Sequence, residues 1–151
     1  MRVNPGVLLD LTIPSNPEIL CVVRGVITGA ATLVGFAPKD CRSVARAVDE
    51  AIANVIRHGY GSRRNQPIEI ICRRIQARIH QENNKGLVVI VVDYGPAFDP
   101  TRLKPRSLNE VRPGGLGVHF IRDGMDAVTY KRLRRANCLR MVRYLPRLTS
   151  P

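Results

Sequence analysis

The chain has 151 residues, 24 of them Lys or Arg against 12 Asp or Glu, for a net charge of +12; 44% are hydrophobic. That length and apolar content predict one globular domain over residues 1–151, and exclude a disordered polybasic tail or a catalytic domain joined to a separate DNA-binding module. The charge points to an anionic partner without choosing between nucleic acid, nucleotide, membrane surface and acidic protein.

In chain order, residues 7–13 read as a strand closed by Pro14. From Pro17 to Phe36 the apolar residues Ile19, Val23, Val26, Ile27, Ala30 and Val34 recur at helical spacing, with Ser15 or Asn16 as cap. Gly25 and Gly29 weaken this helix or admit a close neighbour. A second helix opens at Pro38 and ends near Gly59. Its apolar face is Val44, Val48, Ala51, Ile52 and Val55; Glu50, Asn54 and His58 form a stripe along one flank, with Arg42, Arg46, Asp49 and Arg57 toward the opposite side.

Residues 68–79 alternate imperfectly as a strand, residues 80–86 form a turn, and Leu87 to Val92 are a continuous apolar strand, expected to be central and covered on both faces. That run is far too short to span a bilayer, and no basic segment with an apolar signal core opens the chain. After an irregular Asp93–Pro100 stretch and a basic loop to Pro113, helical spacing resumes at Val118, Ile121 and Met125. Residues 127–133 and 138–145 close the chain as a hairpin. The order predicts an α/β fold: a two-layer sandwich with helices on one face of a mixed, mostly antiparallel sheet. The widely spaced Cys21, Cys41, Cys72 and Cys138 form no CxxC pair and read as buried thiols of a cytoplasmic protein rather than as disulfides or zinc ligands.

Three polar clusters carry candidate chemistry. Glu50, Asn54 and His58 combine a carboxylate able to orient or deprotonate a hydroxyl with an amide oxygen suited to Mg²⁺ beside phosphates; the same stripe also reads as a solvated helix flank. Asp93, at the end of the apolar strand, can accept a hydrogen bond from an exocyclic amine, and Gly95 lets a ring approach the backbone; a capped Gly-Pro turn is the plainer reading. Gly114, Gly115, Leu116 and Gly117 enter a helix, where exposed N–H groups favour phosphate, with Arg112 just upstream; alternatively they form a hinge. Neither of the standard nucleotide motifs, Walker A or GxGxxG after a strand, is present. Together the three clusters would supply metal, base and phosphate contacts to one Mg–nucleotide.

These motifs resemble those of the serine-protein kinases that act as bacterial anti-sigma factors, within the wider superfamily of gyrase, histidine kinases and MutL. The N box reads Glu50-Ala-Ile-Ala-Asn54-Val-Ile-Arg-His58-Gly-Tyr60, the first glycine box Asp93-Tyr-Gly95-Pro-Ala-Phe98-Asp99-Pro, and the second Gly114-Gly-Leu-Gly117-Val-His-Phe-Ile121. The resemblance implies a Bergerat-type ATPase fold, ATP and Mg²⁺ as cofactors, Asn54 on the metal, Glu50 as the catalytic general base or orienting carboxylate, Asp93 on the adenine amine, and His58, Gly95, Arg112 and the second glycine box around the nucleotide. It further implies phosphorylation of a serine on a small anti-anti-sigma (STAS-type) partner, sequestration of a sigma factor, and a homodimer. The sequence departs from the family's usual Gly-Thr before its last strand, reading Arg135-Ala136-Asn137-Cys138. A non-catalytic nucleotide-dependent interaction module is the alternative; nucleic-acid binding has only charge behind it. Seven basic residues after Asp126, with no acid among them, are expected to form a face for an acidic partner protein away from the motifs.

Overall fold

The computed structural model describes residues 5–79, 82–97 and 116–146. Strand β1 (Val7–Pro14) is followed by a 3-10 turn at Pro17–Ile19 and helix α1 (Leu20–Val34). Asn16, rather than Ser15, caps this start: its side chain accepts from the Glu18 N–H at 3.2 Å. Ser15 is instead buried, donating to the Arg63 carbonyl and accepting from the Gln66 N–H, so it pins the 60s loop to the end of β1. Helix α1 stops at Gly35, whose φ of 107° suits a residue without a Cβ; its N–H and that of Phe36 return to the Ala31 carbonyl.

The Pro17–Val34 stretch is long and apolar enough by composition to cross a membrane, which makes it a longer apolar run than Leu87 to Val92. It has one buried row, Val23, Ile27, Ala30 and Ala31, that joins the core. Helix α2 (Pro38–Asn54) buries Cys41, Val44, Ala45, Ala47, Val48, Ala51 and Ile52. This inner stripe, spaced three and four apart, is the reason the segment is helical despite its many charges. A π-helical turn, Val55–Gly59, continues it, marked by the Tyr60 N–H bonding to the Val55 carbonyl five residues back.

Strands β2 (Pro67–Ile79) and β3 (Glu82–Asp93) form one long hairpin, paired from Ile68 and Asp93 out to Ile79 and Glu82. Of the residues expected as a turn over 80–86, 80 and 81 lie outside the described residues and Glu82 to Gly86 are strand. Their ladder hydrogen bonds continue from the apolar part of the hairpin, and this outweighs their weak strand propensity. Helix α3 (Leu116–Gly124) and strands β4 (Ala127–Leu133) and β5 (Ala136–Tyr144) complete the chain. The sheet order is β1-β2-β3-β5-β4, and every pairing described is antiparallel, which narrows the expected mixed sheet.

Register puts Ile68, Ile70 and Cys72 beside Asp93, Val91 and Val89, and these beside Asn137, Leu139 and Met141. This face meets the helices, with Ile27, Val44, Val48 and Ile52 fully buried against it. Truncating one such residue, for example Ile52→Ala, costs about 2–5 kcal/mol. On the other face of β3, Val88 is buried but Ile90 and Val92 are only half-buried, so coverage is less even than the apolar run suggests. All four cysteines are free; Cys41 and Cys72 are buried as expected, Cys138 is half-buried, and Cys21 is exposed.

Candidate functional site

The last turns of α2 carry the first cluster. Glu50 and Asn54 are half-buried, one turn apart on the same flank. The side chain that joins them is Arg57: its Nη2 donates to Glu50 Oε1 at 3.0 Å and to Asn54 Oδ1 at 3.4 Å. The sequence reading set Arg57 on the opposite side. Seven residues from Glu50 and three from Asn54 is two turns and one turn of helix, so the shared flank follows from the spacing itself. His58 is exposed, placed there where the helix widens into its π turn. Thus the oxygens of Glu50 and Asn54 converge on a cation already. An amide oxygen in this setting fits Mg²⁺ completed by phosphate and water oxygens; among the described residues no cluster of three His, Cys, Asp or Glu offers a fuller cage.

The second cluster meets the first at Gly59. Asp93, 6% exposed at the end of β3, accepts from the Gly95 N–H at 2.9 Å and from Asn137 Nδ2 at 2.8 Å, both on Oδ1. A Cβ on Gly95 would stand 2.7 Å from the Gly59 carbonyl oxygen and 3.0 Å from Asp93 Oδ1, so only glycine allows this approach. Tyr60 braces the junction: its hydroxyl donates to the Pro67 carbonyl and accepts from the Tyr94 N–H at 2.8 Å. Burial raises the Tyr60 phenol above its ordinary range, keeping it a neutral donor. The N box and the first glycine box, 43 residues apart between Glu50 and Asp93 in the chain, thus share one packed corner.

Behind Asp93 stands a third group, from the closing hairpin. Asn137 is 3% exposed and pairs with Asp93 across β3 and β5. Besides Asp93, its Nδ2 reaches the Pro96 carbonyl at 3.0 Å, and its Oδ1 accepts from Arg132 Nη1 at 2.8 Å and from the Tyr130 hydroxyl. Arg132 Nη1 also donates to the Gly95 carbonyl at 3.0 Å. The sequence marked Asn137 only as a departure from the family and counted Arg132 as surface charge. Their signal was the strand alternation that brings 130, 132 and 137 to one face, readable only once β5 was known to pair with β3.

Of the third sequence cluster, Arg112, Gly114 and Gly115 lie outside the described residues, as do Phe98 and Asp99. Leu116 and Gly117 open α3. That helix packs on α2: a Cβ on Gly124 would stand 2.6 Å from the Ser43 carbonyl oxygen, and the Arg46 guanidinium lies 3.4 Å from the Phe120 ring centroid. A surface recess of about 140 Å³, lined by Leu33, Val34, Arg74, Ile75, Gln76 and Lys85, lies at the other end of β2 and β3, away from Asp93.

The sequence matches the histidine kinase-like ATPase domain over residues 13–143. The chain belongs to this family. Among curated proteins it is 26% identical to the serine-protein kinase RsbW of Halalkalibacterium halodurans, over 87% of this chain and 80% of that one. It is also 26% identical to RsbW of Bacillus subtilis (83% and 78%) and 28% identical to RsbW of Staphylococcus aureus (80% and 77%). A crystal structure of the RsbU and RsbW domains of a Mycobacterium tuberculosis protein aligns with a TM-score of 0.55 at 14% identity, over 91% of this chain but 33% of that one, and so supports the fold. Family and fold agree with the resemblance read from the motifs.

Proposed function

We infer that this chain is an ATP-dependent serine-protein kinase that works as an anti-sigma or partner-switching regulator. The observation that carries the reading is the packed corner where the helix of Glu50 and Asn54 ends, at Gly59, against Asp93 and Gly95. The relatives, named serine-protein kinases and matched over most of their length, add the reaction class.

In this reading the buried Asp93 accepts a hydrogen bond from the exocyclic amine of adenine, and the bare backbone of Gly95 leaves room for the ring. Asn54 Oδ1, now facing Arg57, is the atom that would hold Mg²⁺. Bound there, the ion would neutralise phosphate charge. Glu50, released by Arg57, orients the serine hydroxyl of a partner protein and takes its proton at the carboxylate as the serine oxygen bonds to the γ-phosphorus and the bond to the β-phosphate oxygen breaks, leaving ADP. Arg112, Gly114, Gly115 and Gly117 are assigned to the phosphates, and exposed His58 to the rim.

The partner proposed is a small anti-anti-sigma protein of STAS type, with a sigma factor as the second client and a homodimer as the working form. An acidic partner surface suits the exposed Lys131, Arg134, Arg135 and Arg140 of the β4–β5 hairpin. A cytoplasmic setting follows from the same reading.

The test is phosphate transfer from labelled ATP to the cognate partner. Glu50→Gln is expected to bind ATP normally yet lose transfer by at least about 100-fold, and Asn54→Ala to lose the Mg²⁺-dependent part of ATP binding. Normal transfer by Glu50→Gln would remove Glu50 from its role. ATP binding by the wild type with no phosphoserine on any partner would favour the non-catalytic interaction module.

A further inference from the structure

We propose that Arg132 and Asn137 are positioning residues that set nucleobase selectivity by fixing Asp93. This rests on the assignment of Asp93 to the base. Two donors, the Gly95 N–H and Asn137 Nδ2, land on Asp93 Oδ1. Among the described residues Oδ2 takes no hydrogen bond, and it is the atom left for a ligand amine. A carboxylate held through one oxygen by two donors stays an acceptor with a fixed plane.

What fixes the donors is the hairpin. An amide side chain can turn over, exchanging its donor and acceptor ends. At Asn137 this is prevented, because Oδ1 already accepts from Arg132 Nη1 and from the Tyr130 hydroxyl; the end facing Asp93 must be Nδ2. Arg132 does a second thing with the same nitrogen: it holds the carbonyl of Gly95, the residue whose N–H, in the preceding peptide unit, is the other donor to Asp93. One exposed guanidinium on β4 thereby braces both residues that donate to the buried carboxylate. Without it, Asn137 Oδ1 loses its charged donor and the Gly95 carbonyl loses its brace, so the two donors to Asp93 are held less firmly and the plane of the carboxylate loosens. The consequence falls on a base that offers a donor at position 6, and not on the phosphate contacts.

The experiment compares the affinities of ATP and of purine riboside triphosphate, which lacks only the 6-amino group, for wild type, Asp93→Asn, Arg132→Gln, Arg132→Lys and Asn137→Ala, with melting temperatures measured without nucleotide. Wild type is expected to favour ATP by about tenfold or more, the worth of one hydrogen bond to a charged acceptor. Arg132→Gln and Asn137→Ala should bring the ratio to within about threefold of unity while binding of the amine-free analogue is kept, and Arg132→Lys, which retains a charged donor on a longer side chain than Gln, should fall between. A ratio unchanged in Arg132→Gln would overturn the proposal, and so would a parallel loss for both nucleotides, which is the mark of a merely structural role. Should Arg132→Gln not fold, Arg132→Lys and Asn137→Ala carry the same comparison. If Asp93→Asn keeps the wild-type ratio, the base assignment itself fails and the positioning role falls with it. A ratio lost in Asp93→Asn but kept in the Arg132 and Asn137 variants overturns the positioning role alone.

Discussion

Gly95→Ala isolates the corner on which the functional reading depends. The added methyl would sit 2.7 Å from the Gly59 carbonyl oxygen, 3.1 Å from its carbon and 3.0 Å from Asp93 Oδ1. The first two are backbone atoms at the end of the α2 helix and cannot swing aside as a side-chain tip can, so the strands and the helix end must separate. Overpacking of this kind costs about 1–3 kcal/mol. Gly95 has no positive φ, so alanine also returns about 0.4–1 kcal/mol by restricting the unfolded chain. The net expectation is a loss of about 1–2 kcal/mol, a fall of about 2–8 °C in melting temperature for a chain of this size. Because the displaced atoms are the wall around Asp93, ADP affinity measured by calorimetry should fall by more than the stability change alone requires. A Gly95→Ala protein that melts at or above the wild-type temperature and binds ADP unchanged would refute both the packing argument and the location of the site.

Gly25→Ala is the matched control. Its Cβ meets nothing within 4 Å on the exposed side of α1, so helix propensity alone acts, and the melting temperature should rise by about 2–4 °C; a fall would mean that this face is closely covered. Cys72 makes a pH prediction: burial raises its thiol from 9.0 to about 12, so above pH 9 the unfolded chain loses this proton while the folded chain keeps it. The unfolded state then binds fewer protons and stability falls as pH rises, by about 2 kcal/mol from this group at pH 10.5. Denaturant titrations should show Cys72→Val to lack that part of the slope. Thiol alkylation of the native protein should mark exposed Cys21 well ahead of Cys41 and Cys72.

What could be read in the sequence divides by the range of the interaction. The α2 stripe and the pairing of Glu50 with Asn54 are local, since one helical turn fixes them. The β2–β3 hairpin was legible in its apolar half, where alternation reports burial, but not in Glu82–Lys85, where pairing with the partner strand is the only force that makes polar residues extend. The 3-10 start of α1 and the π turn at Val55–Gly59 were not legible, because neither changes which residue types are buried. Arg57 was within reach of helix geometry and was set on the wrong side. Asn137 and Arg132 were out of reach: their place depends on β5 inserting between β3 and β4, a choice made by long-range pairing.

That strand order also changes the meaning of the charge. The closing residues are remote from Asp93 in sequence, yet β5 is its neighbour in the sheet, with Asn137 directly opposite it. Two of the seven basic residues are committed to the fold. Arg143 joins Asp40 at 2.7 Å and Asp126 at 3.2 Å, tying the start of α2 to the hairpin, and Arg132 supports the wall around Asp93. Arg147 lies outside the described residues. The remaining Lys131, Arg134, Arg135 and Arg140 are exposed on the same hairpin whose inner residues grip the Asp93 carboxylate. A partner held by those four charges would press on the strands that position Arg132 and Asn137. If the proposed partner docks there, its binding and nucleotide affinity would be linked through the hairpin, and linkage requires any such influence to run equally in both directions. Raising the salt concentration, which screens the exposed four far more than the buried contacts, should weaken partner binding first and reduce its effect on ADP affinity in step; an effect on ADP affinity that survives after salt has removed the charge contribution would place the route elsewhere.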